Sequence, residues 1–469
     1  MKKTKVMCTL GHSCESVEII KDMIKSGMNL ARISVNHGLF DKQLIRVKNL
    51  RKAAEELGTY IPILLDLQGP EMRIGRLKEQ NIEIIEGRTL VIITNPIIGD
   101  ANKVSVNYKE LPSILRNQSR ILIDEGLIEV SVKDIIDNEI ICTVIRGGIL
   151  KHNADITLPG IRTTLPGLTQ TDIKYIDFGI KNNIEMIAVS FARKANDIKE
   201  IRNLLANKKA NQIQIISKIE NEEGLSNLEE IADVSDGLMV ARGDLGVDMP
   251  LEDIPYVQQQ IVEKCYLLGK PVIIATHMLH SMKNNPRPTR AEVTDVTVSV
   301  LQGVDILMLS ETSSGKYPTE TVKQLCSIIK KTENIFDDQM NSKWGGIEEK
   351  YATAAVSLAT ILNASAIIVI CNNMNLVNCI SKRRPPANII VFTCKRDIYK
   401  NLILMRGVTP IIIESISDFK RLKGENITDL IEKNMLKNNI IVTIEELDNN
   451  NSLFYKLDTT HINHYSFPE

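Results

Sequence analysis

The sequence predicts an α/β fold: a (β/α)8 TIM-type barrel with an inserted small β domain and a C-terminal α/β domain. Three observations carry this expectation. Short β-branched runs alternate with helical periods, the alternation stops between about residues 76 and 156, and a further set of apolar runs follows residue 341. Strand-like runs occupy 5–10, 29–35 and 61–66 before the interruption, then 185–190, 213–218, 237–241, 271–276 and 305–310 after it. Three and five make eight, the strand count of such a barrel. An open doubly wound sheet would show the same alternation.

Each element has a local reason. An amphipathic helix is expected over 15–26, stopped by Gly27, and a charged one over 40–57, ending before Gly58. Between 76 and 156 the runs IEIIEG, TLVIITN, RILIDEGLIEVSV and IICTVI are separated by Gly, Asn and Asp, with no strong helical period. That pattern reads as a small β domain. A helix near 170–182 restores the βα rhythm. Beyond 341 come a helix at 350–363 and runs at 366–371, 389–394, 410–414 and 439–444, with 447–452 and the last residues read as loop and tail. The expected division is 1–75 with 157–340 for the barrel, 76–156 for the β lid, and 341–469 for the C-terminal domain.

Composition narrows the function classes. The 469 residues carry 57 Lys and Arg against 58 Asp and Glu, a net charge of −1, and only 4% are aromatic. Neither a basic excess nor material for base stacking is present, so a nucleic-acid partner is not expected. No apolar run approaches the ~18 residues of a membrane span. The stretch behind Met1, Lys2 and Lys3 ends at Gly11, too short for a secretory leader. Eight cysteines are scattered without a Cys-x-x-Cys pair. A reduced, cytoplasmic protein is expected.

Polar residues collect where strands end. Arg32, Ser34, Asn36 and His37 close the second strand, Asp66 the third, Lys218 and Glu220 the fifth, Arg242-Gly243-Asp244 the sixth, Thr276 the seventh and Ser310-Glu311-Thr312 the eighth. In a (β/α)8 barrel those positions face the reaction. Lys218 and Glu220, two apart, share a face. They form either a solvated pair or, with Asp244, a hard-oxygen site suited to Mg2+ or Mn2+ beside a fixed cation. Arg242–Gly246 is either a tight turn or a close backbone approach to a ligand. The PRPTRAE run at 286–292 reads as a helix start capped by Thr289. His277 and His280 lack a third metal ligand nearby. Arg32 and Arg73 are candidate phosphate forks.

These stretches resemble the pyruvate kinase family. The matching residues are Thr9-Leu10-Gly11, Ala31-Arg32 with His37-Gly38, Gly69-Pro70-Glu71-Met72-Arg73, Ser217–Asn221, Met239–Gly246, Ala275-Thr276 and the run 286–296. The resemblance implies transfer of the phosphoryl group of phosphoenolpyruvate to ADP, giving pyruvate and ATP in glycolysis. It implies that Lys218, Arg32 and Thr276 are catalytic, and that Gly243 and Asp244 help bind substrate. Ser34, Asn36, His37 and Arg73 would face the nucleotide, and Glu220 and Asp244 would hold Mg2+ or Mn2+. Ser34, Asn36, Asp66 and Leu67 would form a K+ site in which Ser34, Asn36 and Leu67 depart from the usual residues; K+ use is still expected. In the lid, Ala154 stands where the family carries a lysine, and Lys151 would have to substitute. A homotetramer is implied by resemblance alone. The competing expectations are a catalytically weakened regulatory paralogue and a metal-dependent keto-acid lyase or aldolase on the same barrel.

Overall fold

A computed structural model describes residues 2–35, 40–335, 346–371, 374–415, 440–449 and 452–461. Eight strands close into a ring: β1 (Lys5–Thr9), β2 (Leu30–Ser34), β3 (Ile63–Asp66), β4 (Met186–Val189), β5 (Gln214–Ile219), β6 (Gly237–Ala241), β7 (Val272–Ala275) and β8 (Ile306–Leu309). Neighbours are sequential and parallel all the way round, β8 pairing with β1. The closed ring removes the open doubly wound alternative.

Both faces of every strand are covered, which is why the strands read as continuous apolar runs rather than alternating ones. Outward side chains such as Val6, Cys8, Ile33 and Leu65 pack under the helices. Inward ones, including Met7, Leu30, Leu64, Met186, Ile216, Met239, Ile273 and Met308, fill the ring. The connecting helices begin and end on local signals. Ser16 accepts the Ile19 N–H to start Val17–Ser26, and Gly27 closes it in the left-handed region at φ 116°. Thr289 and Glu292 form a reciprocal capping box at the start of Arg290–Leu301, as the sequence predicts.

The chain leaves the barrel after β3 and builds a seven-stranded sheet with its own apolar core. Its outgoing strand Met72–Arg73 and returning strand Asp155–Thr157 pair antiparallel, with Arg73 opposite Asp155. The two crossings therefore lie side by side. One turn of helix, Leu111–Ile114, interrupts the strands.

The C-terminal sheet holds β9 (Ala366–Ile370), β10 (Asn388–Thr393), β11 (Val408–Ile412), β12 (Ile440–Asn449) and β13 (Ser452–His461) in the order β11-β10-β9-β12-β13. Only the last pair is antiparallel. The loop expected at 447–452 is corrected here: the β12–β13 ladder runs on to Asn449 opposite Ser452. Asn is a poor strand former, but the antiparallel backbone ladder with β13 carries the strand through it. This domain docks beneath the N-terminal ends of the barrel strands. There Lys5 Nζ donates to the Val408 carbonyl at 2.7 Å, and the Gly407 N–H donates to the Lys3 carbonyl at 3.0 Å. Leu404 reaches into the barrel interior cluster itself.

Candidate active site

Strand period places the site. Two residues beyond an inward apolar side chain, the next inward one arrives at the open C-terminal end of the strand. Met7 leads to Thr9, Leu30 to Arg32 and Ser34, Leu64 to Asp66, Ala188 to Ser190, Ile216 to Lys218 and Glu220, and Met308 to Ser310. Register brings these ends level, with Thr9 opposite Arg32 and Ser34 opposite Asp66. Arg32, Ser34, Asp66, Lys218, Asp244 and Thr276 accordingly line one cavity of about 310 Å³.

Lys218 stands at its centre. Its Nζ donates to Ser190 Oγ at 2.7 Å, lies 2.8 Å from Glu220 Oε1 and 3.3 Å from Asp66 Oδ1. Burial opposes the charged form, but the carboxylates of Asp66, Glu220 and Asp244 outweigh it and hold the ammonium well above the ordinary lysine value. Arg32 Nε donates to Asp66 Oδ2 at 2.6 Å and its Nη1 to Thr9 Oγ1 at 3.1 Å. Burial alone would raise Asp66, yet Lys218 and Arg32 pull its carboxyl below the usual range. Two fixed cations thus face the cavity.

Glu220 is 2% exposed, and its Oε2 accepts the Phe191 N–H at 2.5 Å. Phe191 holds φ at +54°, an unfavourable conformation that aims this donor at the carboxylate. Burial, with the Asp244 charge added, pushes the Glu220 carboxyl up against the pull of Lys218. Carboxylates crowded this way suit a dication, which relieves both effects. Among the described residues no group of three or more His, Cys, Asp or Glu could enclose a metal. A divalent ion here would therefore take the rest of its shell from substrate oxygens and water, the habit of Mg2+. Asp66 Oδ1 is buried without a hydrogen bond, and Ser34 lines the same cavity. Among the described residues the only partner of Asp66 Oδ1 is the Lys218 ammonium at 3.3 Å, and oxygens of this kind fit a monovalent cation.

Thr276 follows β7 at φ +64°, with His277 at +56° behind it. Its Oγ1 accepts the Gly243 N–H at 2.8 Å and donates to the Ala275 carbonyl at 2.6 Å. Gly243 and Asp244 lie in a short helix, Arg242–Asp248, in place of the tight turn considered from sequence. Arg242 anchors that helix through a bidentate pair with Asp295 at 2.6 and 2.9 Å.

A second cleft of about 400 Å³ opens between the inserted sheet and the barrel rim. Arg73, Glu220 and Asp244 all line it, and Asp244 lines the first cavity as well, so the two spaces meet there. Arg73 is separate from the Lys218 cluster: Nε donates to Glu71 Oε2 at 2.6 Å and Nη1 to the Asn153 carbonyl at 2.7 Å. Lys151 lines neither space and pairs with Asp124 at 3.2 Å instead. Leu67 is buried, its carbonyl accepting from Ser190 Oγ at 2.7 Å. Asn36 and His37 lie outside the described residues.

Ser310, read from the sequence as a polar strand end, lies at the rim of the first cavity. Three contributors escaped the sequence reading: Ser190 and Thr9 in the first cluster, and Arg193. Arg193 holds the returning crossing through the Thr163 side chain and carbonyl at 3.0 and 3.3 Å. Ser190 and Thr9 carried a usable signal, the inward phase of Ala188 and Met7. Arg193 carried none, because its partners are assigned only by the path of the returning loop.

A family model described as pyruvate kinase, barrel domain, matches residues 1–322, and one described as pyruvate kinase, alpha/beta domain, matches 349–450. Pyruvate kinase of Staphylococcus aureus strain MRSA252 is 39% identical over 453 residues, covering 95% of this chain and 77% of that one. The protein of strain USA300 is 38% identical over the same length. The crystal structure of a pyruvate kinase from Cryptosporidium parvum superposes with a TM-score of 0.91 at 33% identity, covering 97% of this chain and 96% of that one. Likeness of this extent, in sequence and in fold, spans the barrel, the insertion and the C-terminal sheet together: the chain belongs to the pyruvate kinase family of phosphotransferases.

Proposed function

We infer that this chain transfers the phosphoryl group of phosphoenolpyruvate to ADP, and that the residues gathered around Lys218 do the work. One observation carries the reading: a charged lysine and a charged arginine share one cavity with Asp244, and Glu220 pairs with that lysine at 2.8 Å. Phosphoryl transfer asks a protein mainly for positioning and charge compensation, and this set supplies both.

In the proposed reaction the enol C–O–P bridge breaks at phosphorus and a β-phosphate oxygen of ADP forms the new P–O bond. The enolate left behind takes a proton at its methylene carbon and becomes pyruvate. Lys218 compensates charge on the migrating group, and Arg32, held in place by Asp66, grips the phosphate. Thr276 and the backbone at Gly243 and Asp244 orient the carboxylate end. Arg73, with Ser34, Asn36 and His37, is assigned to the nucleotide side. Glu220 and Asp244 would hold Mg2+ or Mn2+, which would supply positive charge to offset that on the substrate. Ser34, Asn36, Asp66 and the Leu67 carbonyl would hold K+.

The chain is read as three domains: 1–75 with 157–340, 76–156, and 341–469. A cytoplasmic homotetramer is proposed with it; among the described residues no helix is long and apolar enough to cross a membrane. The test is a coupled assay with phosphoenolpyruvate and ADP, with and without Mg2+. Turnover that needs both substrates and the metal supports the assignment. No pyruvate formed at saturating substrate and metal would overturn it.

A further inference from the structure

We propose that Ser190 is a positioning residue that aims the Lys218 ammonium into the cavity without neutralising it. This rests on the assignment of Lys218 given above.

Three partners surround Lys218 Nζ, and they are not equivalent. Asp66 Oδ1, at 3.3 Å, pairs by charge and has no hydrogen bond. Glu220 Oε1, at 2.8 Å, is a strong partner, but its carboxylate also belongs to the acidic pair that suits a dication. Glu220 would have to divide its charge between the lysine and that dication. Ser190 Oγ, at 2.7 Å, is the neutral partner. A neutral acceptor fixes direction while leaving the full positive charge for the migrating group, which a third carboxylate would not do.

The hydroxyl is itself held for this task. Ser190 is 4% exposed, and it spends its one proton on the Leu67 carbonyl at 2.7 Å. Its lone pairs are therefore left to face the lysine. Gly69, at φ +72°, packs on it so closely that a Cβ there would sit 2.9 Å from Ser190 Cβ. The next residue, Phe191, gives its N–H to Glu220. Two adjacent residues after β4 thus hold the two working groups that β5 supplies.

The test compares the wild type with Ser190→Ala and Ser190→Thr in the full chain. With phosphoenolpyruvate and ADP, Ser190→Ala lowers kcat about ten- to a hundredfold, as loss of a supporting partner does, with KM for phosphoenolpyruvate little changed. Ser190→Thr, which restores the hydroxyl, recovers most of it. A second readout needs no turnover: crystal structures of the wild type and of Ser190→Ala, compared for the position of Lys218 Nζ. With the acceptor removed, Nζ swings away from residue 190 towards the Glu220 and Asp66 carboxylates, at an unchanged thermal midpoint. An unmoved Nζ in Ser190→Ala, or a rise in KM with kcat intact, overturns the proposal. Should the wild type make no pyruvate, the assignment of function fails while the position of Nζ still decides the role of Ser190.

Discussion

The two ends of the barrel use charge in opposite ways. At the C-terminal end, Lys218, Arg32, Asp66 and Asp244 face an open cavity, and the backbone at Phe191 and Thr276 is held at positive φ. At the N-terminal end, Lys5 is sealed against the Val408 carbonyl, Arg406 lies 3.9 Å from Glu333, and Leu404 closes the interior. The first arrangement keeps charge available; the second uses polar groups as a seam between domains. The strands themselves are alike at both ends, so the difference comes from what covers them. Loops leave the upper end accessible, whereas a packed domain covers the lower one.

If that contrast holds, damage at the upper end should cost turnover and damage at the lower end should cost stability. The largest effect belongs to Lys218→Ala. Turnover should fall on the order of a hundredfold or more, as for a lost oxyanion donor, with thermal stability preserved; near-normal kcat would break the comparison. Leu404→Ala comes next, at the opposite end. Truncating a buried leucine should cost about 2–5 kcal/mol of unfolding free energy by chemical denaturation, with kcat near that of wild type. A large kcat loss at unchanged stability would show that the seam serves catalysis directly.

The smallest effect is a dependence on pH. Burial, with Lys2 adding to it and Glu333 opposing, lowers Lys5 from 10.5 to about 7. Between those values the unfolded chain binds the extra proton, so stability from this group rises with pH, by at most about 1.4 kcal/mol per unit. It is fully present above the unfolded value and lost as pH falls through 7. Lys5→Met should remove that slope, so the wild type should gain on the variant between pH 7 and 9.5 in denaturant titrations. Parallel curves would mean the amine keeps its ordinary value.

Much of the architecture was legible before folding. The βα count, the interruption after β3 and the polar strand ends are all local patterns, and a period of two or 3.6 survives translation into three dimensions. Lys218 and Glu220 were readable for that reason. Ser190 shares the same phase, but a lone serine after an apolar run carries no chemical signal of its own. The hairpin through Asn449 was hidden by the opposite problem, a local composition overruled by its partner strand.

What the chain determined by itself, then, is which side chains face inward and at which end of each strand they sit. What only closure of the ring decided is who meets whom. Lys218 reaches Ser190 across 28 residues and Arg32 reaches Asp66 across 34. Those encounters depend on register between neighbouring strands, and register is set by packing of the whole barrel rather than by either partner's sequence.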